Sequence, residues 1–265
     1  MIFYNKIRDY FLLLKECSNF SGKIAIFIYF LQTPIFFIYK KTNHRFEQKL
    51  FFNVILKNED GIFFCGKNMS SVRTASSLYE KELKKYFEIN HGVFIDVGAN
   101  IGKYSISLGK KLRNYGKVIA IEPESKNFKI LETNIKLNKL KNIYPINIGC
   151  SSKNGKIKLF LDKEGTGMHS IKNKMSGDYQ EIDVQKLDEI LLKFKNIKIS
   201  LIKIDVEGAE GEVLKGALKT LKKHHPKIIF EALTEEILEK SKNILKSLNY
   251  KIDQISKTDF FAHQM

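Results

Sequence analysis

"HGVFIDVGANIG", residues 91–102, decides the reading of this chain. An apolar run, Val93 to Val97, ends in a turn almost free of bulk, Gly98-Ala99-Asn100-Ile101-Gly102, with Asp96 just before it. A short apolar run that stops at a glycine turn and gives way to helical periodicity is the start of a strand–turn–helix unit. Such a turn lets a ligand approach the backbone closely, and three ligands compete for it. A nucleotide-hydrolase phosphate loop needs four residues between its glycines, then Lys and Ser or Thr. Here three residues intervene and Lys103 is followed by Tyr104. A dinucleotide turn needs a central glycine, where this chain has Asn100, and Asp96 would repel a pyrophosphate. A ligand with a cationic or hydrogen-bond-donating part fits the acid better.

Outward from the turn, strand-like and helix-like segments alternate. Ser105, Leu108 and Leu112 mark one helix face; "KVIAIEP" is a second strand; Phe128, Leu131 and Ile135 stripe a second helix; "IYPINIG" is a third strand. "KIKLFLD" and "EIDV" read as short added strands. "LDEILLKF" is a helix, "SLIKIDV" a strand, and Leu214, Ala217, Leu218 and Leu221 stripe the helix after it. "KIIFEAL", a helix carrying Ile237, Ile244, Leu245 and Leu248, and "YKIDQI" end the series. Apolar strands alternating with striped helices predict an α/β fold, a mostly parallel sheet with helices on both faces, whose ligands bind outside the strands' carboxyl ends. Before residue 91, "LFFNVILKNEDGIFFCG" places Asp60-Gly61 between two apolar runs and predicts a hairpin. "SSLYEKELKKYF", 76–87, predicts a helix.

Composition sets the limits. The chain has 265 residues, 43% of them apolar, enough for a full core. Cys17, Cys65 and Cys150 lie far apart with no CxxC, against a disulfide scaffold or a structural zinc site and in keeping with a cytoplasmic location. The net charge of +16 is spread along the chain, which predicts solvated lysine-rich faces; no basic block interleaves with aromatics, so nucleic acid is the weaker partner. "KIAIFIYFLQTPIFFIYKK", 23–41, is interrupted by Gln32, Thr33 and Pro34 and is short for a span. It reads as a buried helix and strand, Pro34 breaking or kinking the helix; the alternative is a peripheral membrane contact through residues 23–39. The expected organisation is a basic hydrophobic segment over 1–48, a hairpin–helix lobe over 49–90, and the α/β domain over 91–265.

Glu122, closing the second strand, follows Gly102 at about the interval where dinucleotide sites place the acid that holds a ribose. A glycine turn, an acid beside it and a ribose acid suit a nucleoside with a cationic tail and no phosphate, S-adenosylmethionine. From about Val93 to Leu233 the chain resembles the FkbM family of S-adenosylmethionine-dependent methyltransferases, through "FIDVGANIG", "AIEPES", "SLIKIDVEGAEGEVLKGA" and "IIFEA". "DGIFF" and "YEKEL" look like the lobe many members carry before the core; residues 1–48 fall outside the resemblance.

The resemblance implies a class I methyltransferase, Rossmann-like, with a seven-stranded sheet and an N-terminal helical and hairpin extension. It implies that Asp96, Gly98, Asn100 and Gly102 wrap the methionine part of the cofactor, that Glu122 holds the ribose, and that Asn147 and Ile148 contact the adenine. Asp205 would face the sulfonium. Glu207 and Glu231 share that mouth; three carboxylates there raise one another's pKa, and one becomes a proton acceptor near neutral pH. Glu207 is the first candidate base, His169 in "GTGMHSI" the second, with Ser170 as a substrate contact. The same carboxylates could instead take Mg²⁺, although no residue is assigned as a metal ligand. Glu210 reads equally as a helix cap, and His224 and His225 as residues of a helix end. The expected activity is O-methylation of a hydroxyl on a sugar, glycan or secondary metabolite. The alternatives are a nucleic-acid methyltransferase, which "DVEG" in place of the amino-methylation motif opposes, a nicotinamide-dependent oxidoreductase, and a non-catalytic membrane-attached module.

Overall fold

The computed structural model describes residues 2–39, 49–161 and 178–264. Two helices open the chain, α1 (Ile2–Glu16) and α2 (Phe20–Tyr39). The strand foreseen in the second half of 23–41 is absent: α2 runs on through Pro34 at the loss of one backbone hydrogen bond. The hairpin follows as β1 (Lys49–Lys57) and β2 (Ile62–Asn68), antiparallel with Lys57 opposite Ile62 around the Asp60-Gly61 turn. Next comes α3 (Met69–Ala75), N-capped by the Asn68 side chain, which accepts from the backbone N–H groups of Ser70 and Ser71.

The helix predicted over 76–87 does not form. Ser76 is extended, Glu80 is left-handed with φ of 45°, and only a 3-10 turn over Lys81–Tyr86 follows. Leu83 and Phe87, four residues apart as on one helix face, are nonetheless both buried. Glu80 is held by the Tyr104 hydroxyl. A tertiary contact has overridden a local preference.

The α/β region supplies β3 (Gly92–Val97), α4 (Lys103–Leu112), β4 (Gly116–Ile121), α5 (Ser125–Leu137) and β5 (Ile143–Ile146). A small sheet then forms from β6 (Gly149–Cys150), β7 (Gly155–Phe160) and β8 (Tyr179–Gln185). After α6 (Leu187–Ile190) come β9 (Ile199–Ile204), α7 (Glu210–Gly216), α8 (Leu218–His224), β10 (Lys227–Glu231), α9 (Glu235–Lys246), β11 (Tyr250–Gln254) and β12 (Asp259–Gln264). The large sheet has seven strands in the order β11-β12-β10-β9-β3-β4-β5, all parallel except β12. β12 lies beyond the last strand foreseen from sequence and slots between β10 and β11. The single helix expected from the stripe Leu214, Ala217, Leu218 and Leu221 is broken at Ala217. The Ser151 carbonyl approaches so closely that a Cβ at Gly216 would lie 2.1 Å from it, and the Asp188 carboxylate caps α8 by accepting from Lys219 N and Thr220 N.

Alternating side chains of the central strands feed two cores. Val93, Ile95, Val97, Ile119, Ile121, Ile202 and Ile204 pack toward α6–α9. Phe94, Val118, Ala120 and Leu201 pack toward α4 and α5, in one continuous cluster with Leu13, Ala25, Ile26, Val54, Phe63 and Met69 of the N-terminal elements. All three cysteines are free and buried.

Polar ties fix the hairpin to the sheet. Asn138 pairs with both backbone groups of Ile62 (2.9 and 2.7 Å), and Asn134 with those of Phe64 (2.7 and 3.3 Å), so α5 mimics a partner strand along β2. Lys103, buried at the start of α4, donates to Asp60 Oδ2 (2.6 Å) and to the carbonyls of Ser76 (2.7 Å) and Ala75 (3.3 Å). Burial pulls the Lys103 pKa down against the pull of Asp60, while Lys103 and Lys84 hold the Asp60 carboxyl low despite its own burial. Removing one partner of a buried pair strands the other. Lys103→Met should therefore cost about 3 kcal/mol of unfolding free energy in urea titrations, and Asp60→Asn in the same chain should restore part of it.

Candidate functional site

The sheet's topological switch lies at the carboxyl ends of β3 and β9, where the chain leaves the two strands in opposite directions, and ligands of such sheets bind there. Three left-handed residues make the turn after β3: Gly98 (φ 80°), Asn100 (φ 51°) and Gly102 (φ 92°). Gly98 and Ala99 donate to the Ile121 carbonyl (2.9 and 3.0 Å), tying the turn to the end of β4. A Cβ at Gly98 would sit 1.8 Å from the Asp205 carbonyl oxygen, so the two loops touch backbone to backbone.

Beside this contact lies a cavity of about 340 Å³, within the size range of small-molecule sites. Its floor is formed by Val97, Gly98, Asn100 and Ile121, with Glu122 at one end. Ile148, Cys150, Leu159 and Ile182, from the segment after β5 and from the small sheet, make an apolar wall. Ser70, Arg73, Thr74 and Tyr79 from α3 and the segment after it close another side, and Asp205, Glu207 and Glu231 stand at the far end.

Glu122 is buried and accepts from Asn100 N (2.8 Å) through Oε2 and from Glu124 N (2.9 Å) through Oε1. Each oxygen keeps a lone pair for a donor in the cavity. Burial, aided by the nearby Glu124 and Asp96 charges, raises its pKa to about 7 against the pull of those two N–H groups.

Of the residues singled out from sequence, Gly98, Asn100, Glu122, Ile148, Asp205, Glu207 and Glu231 line this one cavity. Asp96, Gly102 and Asn147 do not. Asp96 sits beneath it, accepting from Ser105 Oγ (2.6 Å), with Oδ1 buried and without a partner. Gly102 leads into α4; a Cβ there would meet Leu131 at 2.6 Å. Asn147 is exposed and donates to the carbonyls of Glu122 (2.8 Å) and Pro123 (3.1 Å), so it braces the loop below Glu122. His169 and Ser170 lie outside the described residues. Glu210 does not cap α7: it is the helix's first residue, and its carboxylate ties down the preceding loop by accepting from Gly208 N (3.1 Å) and Val206 N (3.3 Å). His224 ends α8 at the edge of β9, accepting at Nδ1 from Ile199 N (3.5 Å).

The acidic end is anchored by a residue that the sequence reading passed over. Lys203, pointing from the middle of the sheet, is buried and donates to Asp205 Oδ2 (2.7 Å); Asp96 is its neighbour in the parallel register with β3. Its Nζ lies 5.1 Å from the centre of the Tyr104 ring. Asp205, Asp96 and Glu80 outweigh burial and hold its pKa above the ordinary lysine value. A charged residue within "SLIKID", an otherwise apolar run, is the signal that marked it, since lysine inside a sheet requires partners. Oxygens of Asp205, Glu207 and Glu231 come within 4.8 Å of one another. Burial first, then the charges of Asp205 and Glu207, push the Glu231 pKa up to about 9. Glu207 is left-handed (φ 52°), a strained backbone for a residue with a Cβ, and this turns the loop back over the cavity.

The model of the Methyltransferase FkbM domain matches residues 96–255. This chain belongs to the FkbM methyltransferase family. The matched span contains the glycine turn, Glu122 and the acidic cluster, and excludes the lobe that closes the cavity. Two curated relatives are Methyltransferase sdnD of Sordaria araneosa, 30% identical over 153 residues, and Methyltransferase 1 of Beauveria bassiana (strain ARSEF 2860), 25% identical over 142 residues. Each match covers 46% of this chain and, respectively, 59% and 57% of the relative. The crystal structure of Methyltransferase FkbM from Methylobacillus flagellatus KT superposes with a TM-score of 0.53 at 18% identity, covering 98% of this chain and 59% of that one. That likeness shows a shared fold.

The backbone contact at residue 98 makes a sharp prediction. Gly98→Ala adds a methyl into the Asp205 carbonyl at a left-handed φ, so it should lower stability by about 3 kcal/mol. Gly211→Ala in α7, where the nearest atom is 3.6 Å away, should instead raise stability by about 0.5–1 kcal/mol. Paired urea titrations check both.

Proposed function

We propose that the cavity binds S-adenosylmethionine and that the enzyme transfers its methyl group to a hydroxyl of a small-molecule or glycan acceptor. The observation that carries the reading is the placement of two kinds of acid at opposite ends of one apolar-walled cavity. Glu122 keeps lone pairs for a hydroxyl-bearing ligand, and the Asp205–Glu207–Glu231 group forms the polar end that the sulfonium amino acid would face. Ile148, Leu159 and Ile182 offer a flat apolar slot for an adenine, and the Gly98 turn lets a ligand lie against backbone. The sequence alternatives fare worse. A pyrophosphate would enter beside buried Asp96 and Glu122, and among the described residues Arg73 is the one basic side chain lining the cavity, set against Glu122, Asp205, Glu207 and Glu231, a balance that disfavours a nucleic-acid backbone.

S-adenosylmethionine supplies an electrophilic methyl carbon. An acceptor oxygen attacks that carbon in line, the carbon–sulfur bond breaks, its electrons stay on sulfur, and a neutral thioether leaves. Positioning supplies most of the rate. The acceptor's proton passes to the carboxylate pair Glu207 and Glu231, whose oxygens lie within 4.8 Å of each other. Arg73 and Tyr79 line the cavity on the lobe side and would meet the acceptor there. Mg²⁺ would be held by Asp205, Glu207 and Glu231 and would polarise the acceptor oxygen. Asp205, however, is already neutralised by Lys203 at 2.7 Å, so the proton-acceptor reading is preferred, and turnover should survive treatment with a chelator.

Titration calorimetry with S-adenosylmethionine, its demethylated product and NAD tests the binding claim: the first two should bind and NAD should not. Ribose hydroxyls donate to an ionised Glu122, whose pKa is about 7. Its protonated form, dominant below that pH, binds weakly. Affinity should thus rise about tenfold per pH unit up to neutrality and then level off. Glu122→Gln should weaken binding roughly ten- to a hundredfold and flatten this dependence.

For catalysis, Glu207→Ala should lower kcat by about 10²–10⁴-fold with little change in cofactor affinity. The rate should climb on the alkaline side as Glu231 loses its proton near pH 9. Glu207→Gln removes one charge that holds this proton on, so the limb should move to lower pH. A limb unmoved in that variant and in Glu231→Gln would assign the proton transfer elsewhere.

A further inference from the structure

Between Ile24 and Leu31, α2 reads IAIFIYFL and is apolar around its whole circumference. A helix of this kind is normally enclosed by protein or lipid. Only one side is enclosed here. Ala25 and Ile26 are fully buried, in the core shared with β1 and β2. On the opposite side Phe20 is 80% exposed, Ile24 36%, Phe27 50% and Leu31 55%. At 3.6 residues per turn these four fall within an arc of about 60°, a single straight stripe. Phe11 on α1 and Phe51 and Phe52 on β1, the two elements packed against α2, are exposed as well. Exposed apolar side chains gathered on one helix face and on the elements packed against it mark an interaction site.

The charge around the stripe identifies the partner. Lys15 and Lys23 are exposed beside it. Over residues 1–57 the sequence sets nine Lys and Arg against three acids. Of these acids, Asp9 lies against Arg8 (3.5 Å), and Glu16 is buried, accepting from Ser77 N and Asn58 Nδ2 (3.3 Å each). Exposed lysines on the same two helices as exposed aromatic and aliphatic side chains, in a segment of net positive charge, complement a negatively charged lipid surface, where acyl boundary and headgroups lie a few ångströms apart.

We infer that α2 docks in the plane of an anionic membrane surface, with Phe20, Ile24, Phe27 and Leu31 in the acyl boundary and Lys15 and Lys23 at the headgroups. Among the described residues no helix is long and apolar enough to cross a membrane, so the contact is with one leaflet. The docked helix pair adjoins the catalytic region. α1 contributes Asp9, Tyr10 and Leu13 to a second cavity of about 450 Å³, which shares Arg73 and Tyr79 with the first.

Flotation of the full chain with vesicles tests the docking without any assumption about methyl transfer. The protein should rise with vesicles of phosphatidylcholine and phosphatidylserine, remain at the bottom with phosphatidylcholine alone, and be released by high salt. Phe27→Glu with Leu31→Glu, both at exposed positions, should reduce the bound fraction on the order of tenfold with an unchanged circular dichroism spectrum. Lys23→Glu should reduce it less and weaken the salt dependence. The inference is overturned if the wild-type chain does not float with the anionic vesicles, or if the double variant floats equally well. It is also overturned if sedimentation without lipid shows a dimer that the double variant dissolves, which would assign the face to a second copy.

Discussion

β3 and β9 can end side by side, with their following loops in backbone contact, because position 98 has no side chain. Everything at the site inherits its place from that contact. It brings the Asp205 carbonyl onto the turn after β3 and directs the 206–210 loop over the cavity. It also leaves the Asn100 N–H facing Glu122. The strain of three left-handed residues in five is offset by specific bonds, two from the turn to Ile121 and one to the Glu122 carboxylate. The turn is thus shaped before any ligand arrives, which is the condition for a site that gains affinity by avoiding ordering costs.

Beneath the turn, Lys203 organises the charge. Asp96, Asp205 and Glu80 surround one buried ammonium, and their burial is tolerable only because it is there. The three acids at the cavity mouth consequently differ. Asp205 is paired, Glu231 holds its proton into the alkaline range, and Glu207 sits on a strained loop at the opening. Chemically similar side chains acquire different roles through burial and neighbours alone.

The sequence made the sheet legible because parallel strands covered on both faces must be written as apolar runs, and "FIDVGANIG" and "KIDVEGAE" mark where two of them end. Glu122 and Glu231 were legible for the same reason: each closes such a run. What stayed hidden depended on distant contacts. Nothing local shows that Glu80 is drawn to Tyr104, which turns a helix-like 76–87 into a 3-10 turn, or that Ser151 and Asp188 divide the helix at Ala217. β12 pairs with its sequence neighbour β11 on one edge and with distant β10 on the other, and it was missed because "DFFAHQ", with polar residues in its run, does not read as a covered strand. Asp96, adjacent to the turn in sequence, lies under the cavity because a strand's alternation points it toward Lys203.

The bond from Lys103 to the 58–61 turn bears on what counts as a module in this chain. The family match begins at residue 96, yet the cation at 103 finds its counter-charge at residue 60 and two of its carbonyls at 75 and 76. The lobe and the sheet are therefore one inheritable unit. A graft that exchanges the lobe for one of different acceptor preference must carry residue 60 and residue 103 together, and the seam belongs on the far side of the hairpin.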